Sequence, residues 1–323
     1  MEVFKYKESV GFMTVAKRFG ILSVVMVVLS LGLLFTKGLN YGIDFAGGTL
    51  IQVQYKGDAP IEKVRTIMSD SESFKGANVT FFGSDSEIVI RTKNSSKAVD
   101  SDVGDEVAKI LNGTGEFEIR RVDMVGPAVG DELKTKGLMA MLFSILGILI
   151  YISFRFEWRF AVASIVALIH DISIAMGAIS LVGLDVNLDV LAALLTLLGY
   201  SLNDTIIVFD RIREGVTNGR NTNLADIINE SITRTLARTT LTSLTTFFVI
   251  VTLFFFGGEI IHAFAFTLLV GIVVGTYSSI FVASPILLAF GFDVKGYHIK
   301  LAAKSKREAE KQKMRDQFES GVM

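Results

Sequence analysis

Six long apolar runs decide what this 323-residue chain can fold into. They lie near 19–36, 137–154, 160–182, 188–209, 236–256 and 262–290. Each approaches or exceeds the ~18–20 residues that a helix needs to cross the hydrocarbon core of a bilayer. The pattern is that of a membrane protein with six helical spans, whose solvent is the lipid bilayer. Lys17 and Arg18 precede the first run, as they would in a signal peptide, but the following "TKGLNYG" has no small-residue cleavage site, which predicts an uncleaved first span. Cysteine is absent, which excludes disulfides, thiolate nucleophiles and Cys-held metals. The three histidines, His170, His262 and His298, are far apart in sequence, so neither a zinc site nor any other bound cofactor is expected. A net charge of −1 gives no footprint for nucleic acid.

Charge in the short loops sets the orientation. Arg155 and Arg159 flank one loop, Arg211, Arg213, Arg220, Arg234 and Arg238 lie in 210–238, and eight Lys or Arg follow from Lys295 onward. The opposite loops, "GLDVNLD" (183–189) and "GGEIIH" (257–262), have no Lys or Arg. The positive-inside rule then puts both termini in the cytoplasm. The reading divides the chain into a cytoplasmic N-terminus (1–18), a first span (19–36), an external domain (37–136), spans two to six (137–290) and a basic cytoplasmic tail (291–323).

The external insert has its own pattern. "TLIQVQYK" (49–56) alternates as a strand, and "PIEKVRTIMSD" (60–70) is a helix with Pro near its start. "NVTFFG" and "EIVIRTK" are strands around the turn "SDS" (84–86), "AVDSDVGDEVAKIL" (98–111) is a second helix, and "EFEIRRVDMV" (116–125) is a last strand. The order β-α-β-β-α-β is that of a ferredoxin-like fold. The fold class is thus a six-helix membrane bundle with an inserted α+β ferredoxin-like domain. Residues 40–130 hold 14 acidic and 10 basic residues, with no Ser-His-Asp set, phosphate loop or metal cluster. That composition suits a binding or mechanical module, not an enzyme. "YGIDFAGGTL" (41–50) leads in as a glycine-assisted turn, with Asp44 expected to hydrogen-bond inside it.

A series of motifs in fixed order carries a resemblance. "GIDFAGGT" follows the first span, "VGPAVGDEL" (125–133) enters the second, "HD" (170–171) lies in the third and "GYSLNDTIIVFDRIRE" in the fourth. "TRTLARTTLTS" (233–243) and "FGGEIIHAFAFTLLVGIVVGTYSSIFVASP" (256–285) complete it. From about Gly42 to Pro285 the chain closely resembles the SecF members of the SecD/SecF family of bacterial protein-export membrane proteins, within the RND superfamily. The resemblance implies half of an RND-type unit in the bacterial inner membrane, completed by a SecD half. It further implies association with SecYEG, YajC and the SecA-driven preprotein machinery. The implied activity is use of the proton-motive force in late export, with H⁺ as coupling ion and Na⁺ as the alternative.

Ionisable groups inside spans are costly and face a partner, a bundle interior or a water path. Asp204 lies six residues before Asp210 at the membrane edge, roughly 9 Å inside at helical rise, and Arg238 roughly 6 Å inside by the same measure. The two depths make an Asp204–Arg238 pair geometrically plausible. It is either a proton-pathway pair, the role the resemblance implies for these two motifs, or a static salt bridge, and Arg238 has the further option of snorkelling to the surface. Tyr200 and Ser201 share the helix side of Asp204, Asn203 adjoins it, and Thr235, Thr242 and Thr245 lie at −3, +4 and +7 from Arg238. His170 and Asp171 are either a proton relay or a structural hydrogen-bonding pair, and as helix neighbours they point about 100° apart. Gly271 and Gly275 form a G-x-x-x-G that predicts close helix packing. Gly47, Gly48, Gly126 and Pro127, flanking the insert, are expected to be its turns or hinges. Three rival functions stay open: an intramembrane aspartyl protease pairing Asp204 with Asp171, an RND-type small-molecule or lipid transporter half, and a passive scaffold subunit.

Overall fold

The computed structural model describes residues 9–92, 103–218, 221–291 and 294–319. Residues 98–102 of the second insert helix, Lys93, Arg220, residues 1–8 and the last residues of the tail lie outside that description. The chain begins with α1 (Phe12–Thr36), β1 (Asn40–Tyr41) and α2 (Ile43–Ala46). The inserted domain follows as β2 (Gly48–Tyr55), α3 (Ile61–Asp70), β3 (Asn78–Phe82), β4 (Ser84–Thr92), α4 (Val103–Ile110) and β5 (Phe117–Val125). Then come α5 (Pro127–Arg155), α6 (Trp158–Val182), β6 (Asp185–Val186), α7 (Leu188–Asn218) and α8 (Leu224–Phe256). A 3₁₀ turn (Glu259–Ile261), α9 (His262–Ser278), a π-helical turn (Ser279–Ala283) and α10 (Ser284–Ala289) make up one further span, and α11 (Val294–Glu319) ends the described chain.

Six of these segments are long and apolar enough to cross a membrane: α1, α5, α6, α7, α8 and the composite span from Glu259 to Ala289. Several outrun their apolar runs. Pro127 sits at the first turn of α5, where its missing N–H costs nothing, so that helix starts well before the apolar run at 137. Asn223 caps α8 by accepting from Ala225 N at 3.1 Å, placing that start before 236. α7 and α9 pack together at the centre, flanked by α6 and α8, while α1 lies on α6. A Cβ at Gly177 of α6 would lie 2.4 Å from Cβ of Ser30, so only glycine admits α1 at that distance.

In the inserted domain the sheet order is β3-β4-β2-β5, every neighbouring pair antiparallel, which is the ferredoxin-like arrangement. Alternate residues of β2 (Ile51, Val53, Tyr55) and of β4 (Ile88, Ile90) meet Val64 and Met68 of α3 and Val107 of α4 in one buried core. The expected "SDS" turn is not where the hairpin bends. Phe82 pairs with Ser84 around Gly83, whose φ of 73° is accessible to glycine, and the register then shifts so that Phe81 faces Ile88. Residues 84–86 therefore begin β4.

The domain joins the bundle through two close approaches. Gly48 pairs with Val125, so the entering and leaving strands stay together to the membrane side of the domain. A Cβ at Gly47 (φ 68°) would meet Pro127 Cα at 2.9 Å, and one at Gly130 would meet Gly47 N at 2.9 Å. β1 also pairs in parallel with β6, and Asp44 accepts from Leu188 N at 3.0 Å. Asp44 thus serves the N-terminus of α7, where backbone N–H groups are free and the helix dipole favours an anion, and not its own turn as the sequence suggested.

Candidate functional site

Ser201, Asp204 and Thr205 interrupt the apolar stretch of α7 at helical spacing, which puts them on one face, and all three are buried. On α8 the corresponding face carries Thr235, Thr239 and Ser243, each four residues from the last, and these too are buried. Thr235 and Thr239 donate back to carbonyls of their own helix. Ser243 instead donates to Asp204 Oδ2 at 3.1 Å.

The third wall is α9. A Cβ at Gly275 would lie 3.0 Å from Ser201 Cβ, and one at Gly271 would lie 2.5 Å from Leu197 Cδ1, so the glycine pair brings α9 against α7. The next residue, Thr276, is thereby set 3.3 Å from Asp204 Oδ2 and 2.8 Å from Ser243 Oγ. Thr276 has a single hydroxyl proton for these two oxygens. Asp204 Oδ1 has no hydrogen-bond partner although Asp204 is 1% exposed. A buried polar atom left in this state is costly unless something else occupies it.

The expected Asp204–Arg238 pair is not formed. Arg238 is exposed and makes no ion pair among the described residues. It adjoins Thr239, and one residue along a helix turns the side chain about 100° away from the Thr239–Ser243 face. Comparable depth does not fix azimuth. The threonines around Arg238 divide in the same way: Thr235 is buried, whereas Thr242 and Thr245 are exposed and bond within α8. Asn203 faces outward, and the half-buried Tyr200 leaves its hydroxyl unpartnered.

A second polar centre lies beside the first. His170 Nδ1 and Asp171 Oδ1 are 2.8 Å apart, so the tips of these neighbours do converge despite their 100° separation on the helix, because both side chains swing into the same gap. Asp171 Oδ2 accepts from Ser201 at 2.5 Å and from Ser278 at 2.8 Å. Ser201 therefore serves Asp171 and not Asp204. Each carboxyl has its own set of hydroxyls, and the contact between Asp171 and Asp204 that an aspartyl protease needs is not present. Sequence reasoning missed Ser243, Thr276 and Ser278. Their signal was weak but present, since Ser243 closes the Thr/Ser-rich motif of α8, Thr276 directly follows Gly275 and Ser278 lies three residues after it.

The sequence model described as "Protein export membrane protein SecD/SecF, C-terminal" matches residues 106–293, and the "SecD/SecF GG Motif" model matches 32–59. The chain belongs to the SecD/SecF family. Among curated relatives, protein translocase subunit SecF of Helicobacter pylori (strain J99) is 48% identical over 321 residues, covering 99% of both chains. That of Vibrio alginolyticus is 47% identical over 292 residues, covering 90% of this chain and 92% of the relative. The crystal structure of SecDF, a translocon-associated membrane protein from Thermus thermophilus, superposes with a TM-score of 0.80 at 37% identity, over 88% of this chain. This chain spans 39% of the length of that SecDF chain. Both polar centres lie within the C-terminal SecD/SecF match, and Gly47, which packs against Pro127, and Gly48, which pairs with Val125, lie within the GG match.

Proposed function

We propose that the chain is an ion-driven, non-enzymatic subunit of a bacterial protein-export complex in the inner membrane. It pairs with a SecD half and promotes late steps of preprotein export through SecYEG, alongside YajC and SecA-driven translocation. The proton-motive force is the energy source, and the coupling ion is H⁺, with Na⁺ as the alternative. Both termini are cytoplasmic and the inserted domain is periplasmic, as the arginine-poor loops 183–189 and 257–262 support.

The observation that carries this reading is Asp204 Oδ1, a carboxyl oxygen buried in a membrane bundle without a donor. An ion arriving there completes the site: a proton adds to Oδ1, and its loss restores the carboxylate. One charge crossing about 100 mV supplies roughly 2.3 kcal/mol, enough to bias a two-state helix arrangement. Of Asp204 and Arg238, the carboxyl is the member that can take and release a proton. Arg238 is exposed in this chain, and its part in the pathway would need a partner that this chain does not supply. The relatives' name, protein translocase subunit, supports export over small-molecule transport. The test is preprotein export into vesicles with a clamped gradient. Asp204→Asn in an assembled complex should abolish the gradient-driven part, and a variant that assembles and still responds to the gradient would refute the reading.

A further inference from the structure

His170 and Asp171 are buried, titratable and unused by the site at Asp204. Asp171 is well supplied, with His170 Nδ1 on one oxygen and two serine hydroxyls on the other. A carboxylate only accepts, so Nδ1 is the protonated nitrogen and Nε2 carries a lone pair. That Nε2 is buried and has no partner. The ring lies against Tyr277, 6.1 Å between centroids, and the Tyr277 hydroxyl donates to Phe19 O at 2.7 Å and meets Ser23 Oγ at 2.8 Å. The titratable groups near His170 are Asp171 on its own helix and Tyr277 on α9. α1 contributes Ser23 through Tyr277, and α7 contributes Ser201, with Asp204 three residues further on.

We propose that His170 is a second proton-binding residue of the bundle, taking the proton on Nε2 with Asp171 as its counter-ion. The step forms one N–H bond. A hydronium ion gives its proton to Nε2 and leaves as water, the Nδ1–H bond to Asp171 persists, and the pair passes from one net negative charge to none. The consequence reaches Asp204 through shared helices. Asp171 Oδ2 holds Ser201 of α7 and Ser278 of α9, and the same two helices carry Asp204 and Thr276. Ser278 is also the last residue before the π-helical turn at Ser279–Ala283, where Ser284 Oγ donates to Ser279 O across five residues. Such turns interrupt the regular ladder and offer a place for a helix to change register. A positive charge on His170 draws Asp171 toward the imidazolium and weakens its hold on both hydroxyls, so the charge on His170 biases how α7 and α9 sit around Asp204. This last link rests on the ion-driven reading above, whereas the proton site does not.

The chain has three histidines, so His262→Asn with His298→Asn leaves His170 as the sole imidazole. Infrared ring bands of that full-length protein in lipid should show one imidazole gaining a proton on acidification. A ring that keeps one protonation state throughout overturns the proposal. In the assembled complex, His170→Gln keeps an amide donor for Asp171 but cannot be protonated, and gradient-driven export should fall about tenfold. A titrating ring together with wild-type export in His170→Gln overturns the coupling to Asp204. Asp204→Asn is run in parallel: if it alone keeps gradient-driven export, the ion-driven reading fails, whereas loss in Asp204→Asn with retention in His170→Gln sinks only the second centre.

Discussion

At Asp204 an amide in place of the carboxyl removes the ionisable group and keeps its shape. Ser243 can still donate to the remaining carbonyl oxygen, so unfolding of Asp204→Asn in detergent should move by no more than about 1 kcal/mol. A static bridge to Arg238 would forecast roughly 3–5 kcal/mol for an orphaned buried charge, and the exposed Arg238 removes the basis for that cost. Arg238→Met should accordingly leave stability within about 0.5 kcal/mol, as for other exposed positions, while gradient-driven export is lost. A thermal scan showing a large destabilisation in Arg238→Met would mean the guanidinium has a structural partner. Ser243→Ala tests the pocket itself: it strips one donor from a buried carboxyl and should cost about 1–2 kcal/mol. Asp204 was legible in the sequence because a carboxylate in an apolar run has few innocent explanations. Its partners were not, because serine and threonine are common in membrane helices and their azimuth depends on how α8 and α9 are rotated.

Helices and strands followed their patterns closely, and their differences from the expected boundaries have local causes. Pro127 and Asn223 start helices in polar sequence where hydropathy is silent, because a first-turn proline and a side-chain cap act on the backbone and not on the membrane. Glycine was the more informative letter inside the spans. The Gly271–Gly275 pair correctly signalled a close helix contact, but the sequence left open which helix fills it, and the structure places Leu197 and Ser201 of α7 there. Gly177 carried no motif at all, yet α1 approaches it closely, with Ser30 Cα only 2.7 Å from a notional Cβ. Gly177→Leu should therefore force α1 off α6. We expect a loss of about 1–3 kcal/mol and increased proteolysis at the α1 end of the bundle. Wild-type protease resistance in that variant would show that α1 packs elsewhere in the membrane.

The inserted domain is tied to the bundle at two kinds of contact, and they differ in strength. At Gly47, Pro127 and Gly130 backbone meets backbone with no room for a side chain, which makes a tight joint. Away from it the sheet reaches the bundle through the Arg91–Asp185 ion pair, 2.8 Å long and partly exposed, and through Gly83, which lies against Glu259. Between them is a cavity of about 570 Å³, bordered by Asp44, Arg121, Asp123, Asp189 and His262. A partly exposed ion pair contributes at most about 1 kcal/mol, so this second contact opens at little cost. A hinge at Gly47, Gly48, Gly126 and Pro127, as the flanking motifs suggested, would then let the domain lift about that joint. The chain has no native cysteine, so a test disulfide has no competitors. A Cβ at Gly83 would lie 4.0 Å from Glu259 Cβ, within disulfide reach. Cysteine at Gly83, where φ is positive, costs about 1–2 kcal/mol, and the reduced protein serves as its own control for that strain. With Gly83→Cys and Glu259→Cys oxidised in the assembled complex, export should stop, and reductant should restore it. If the locked protein exports as fast as the reduced one, the domain works without leaving the bundle, and the joint at Gly47 is an anchor and not a hinge.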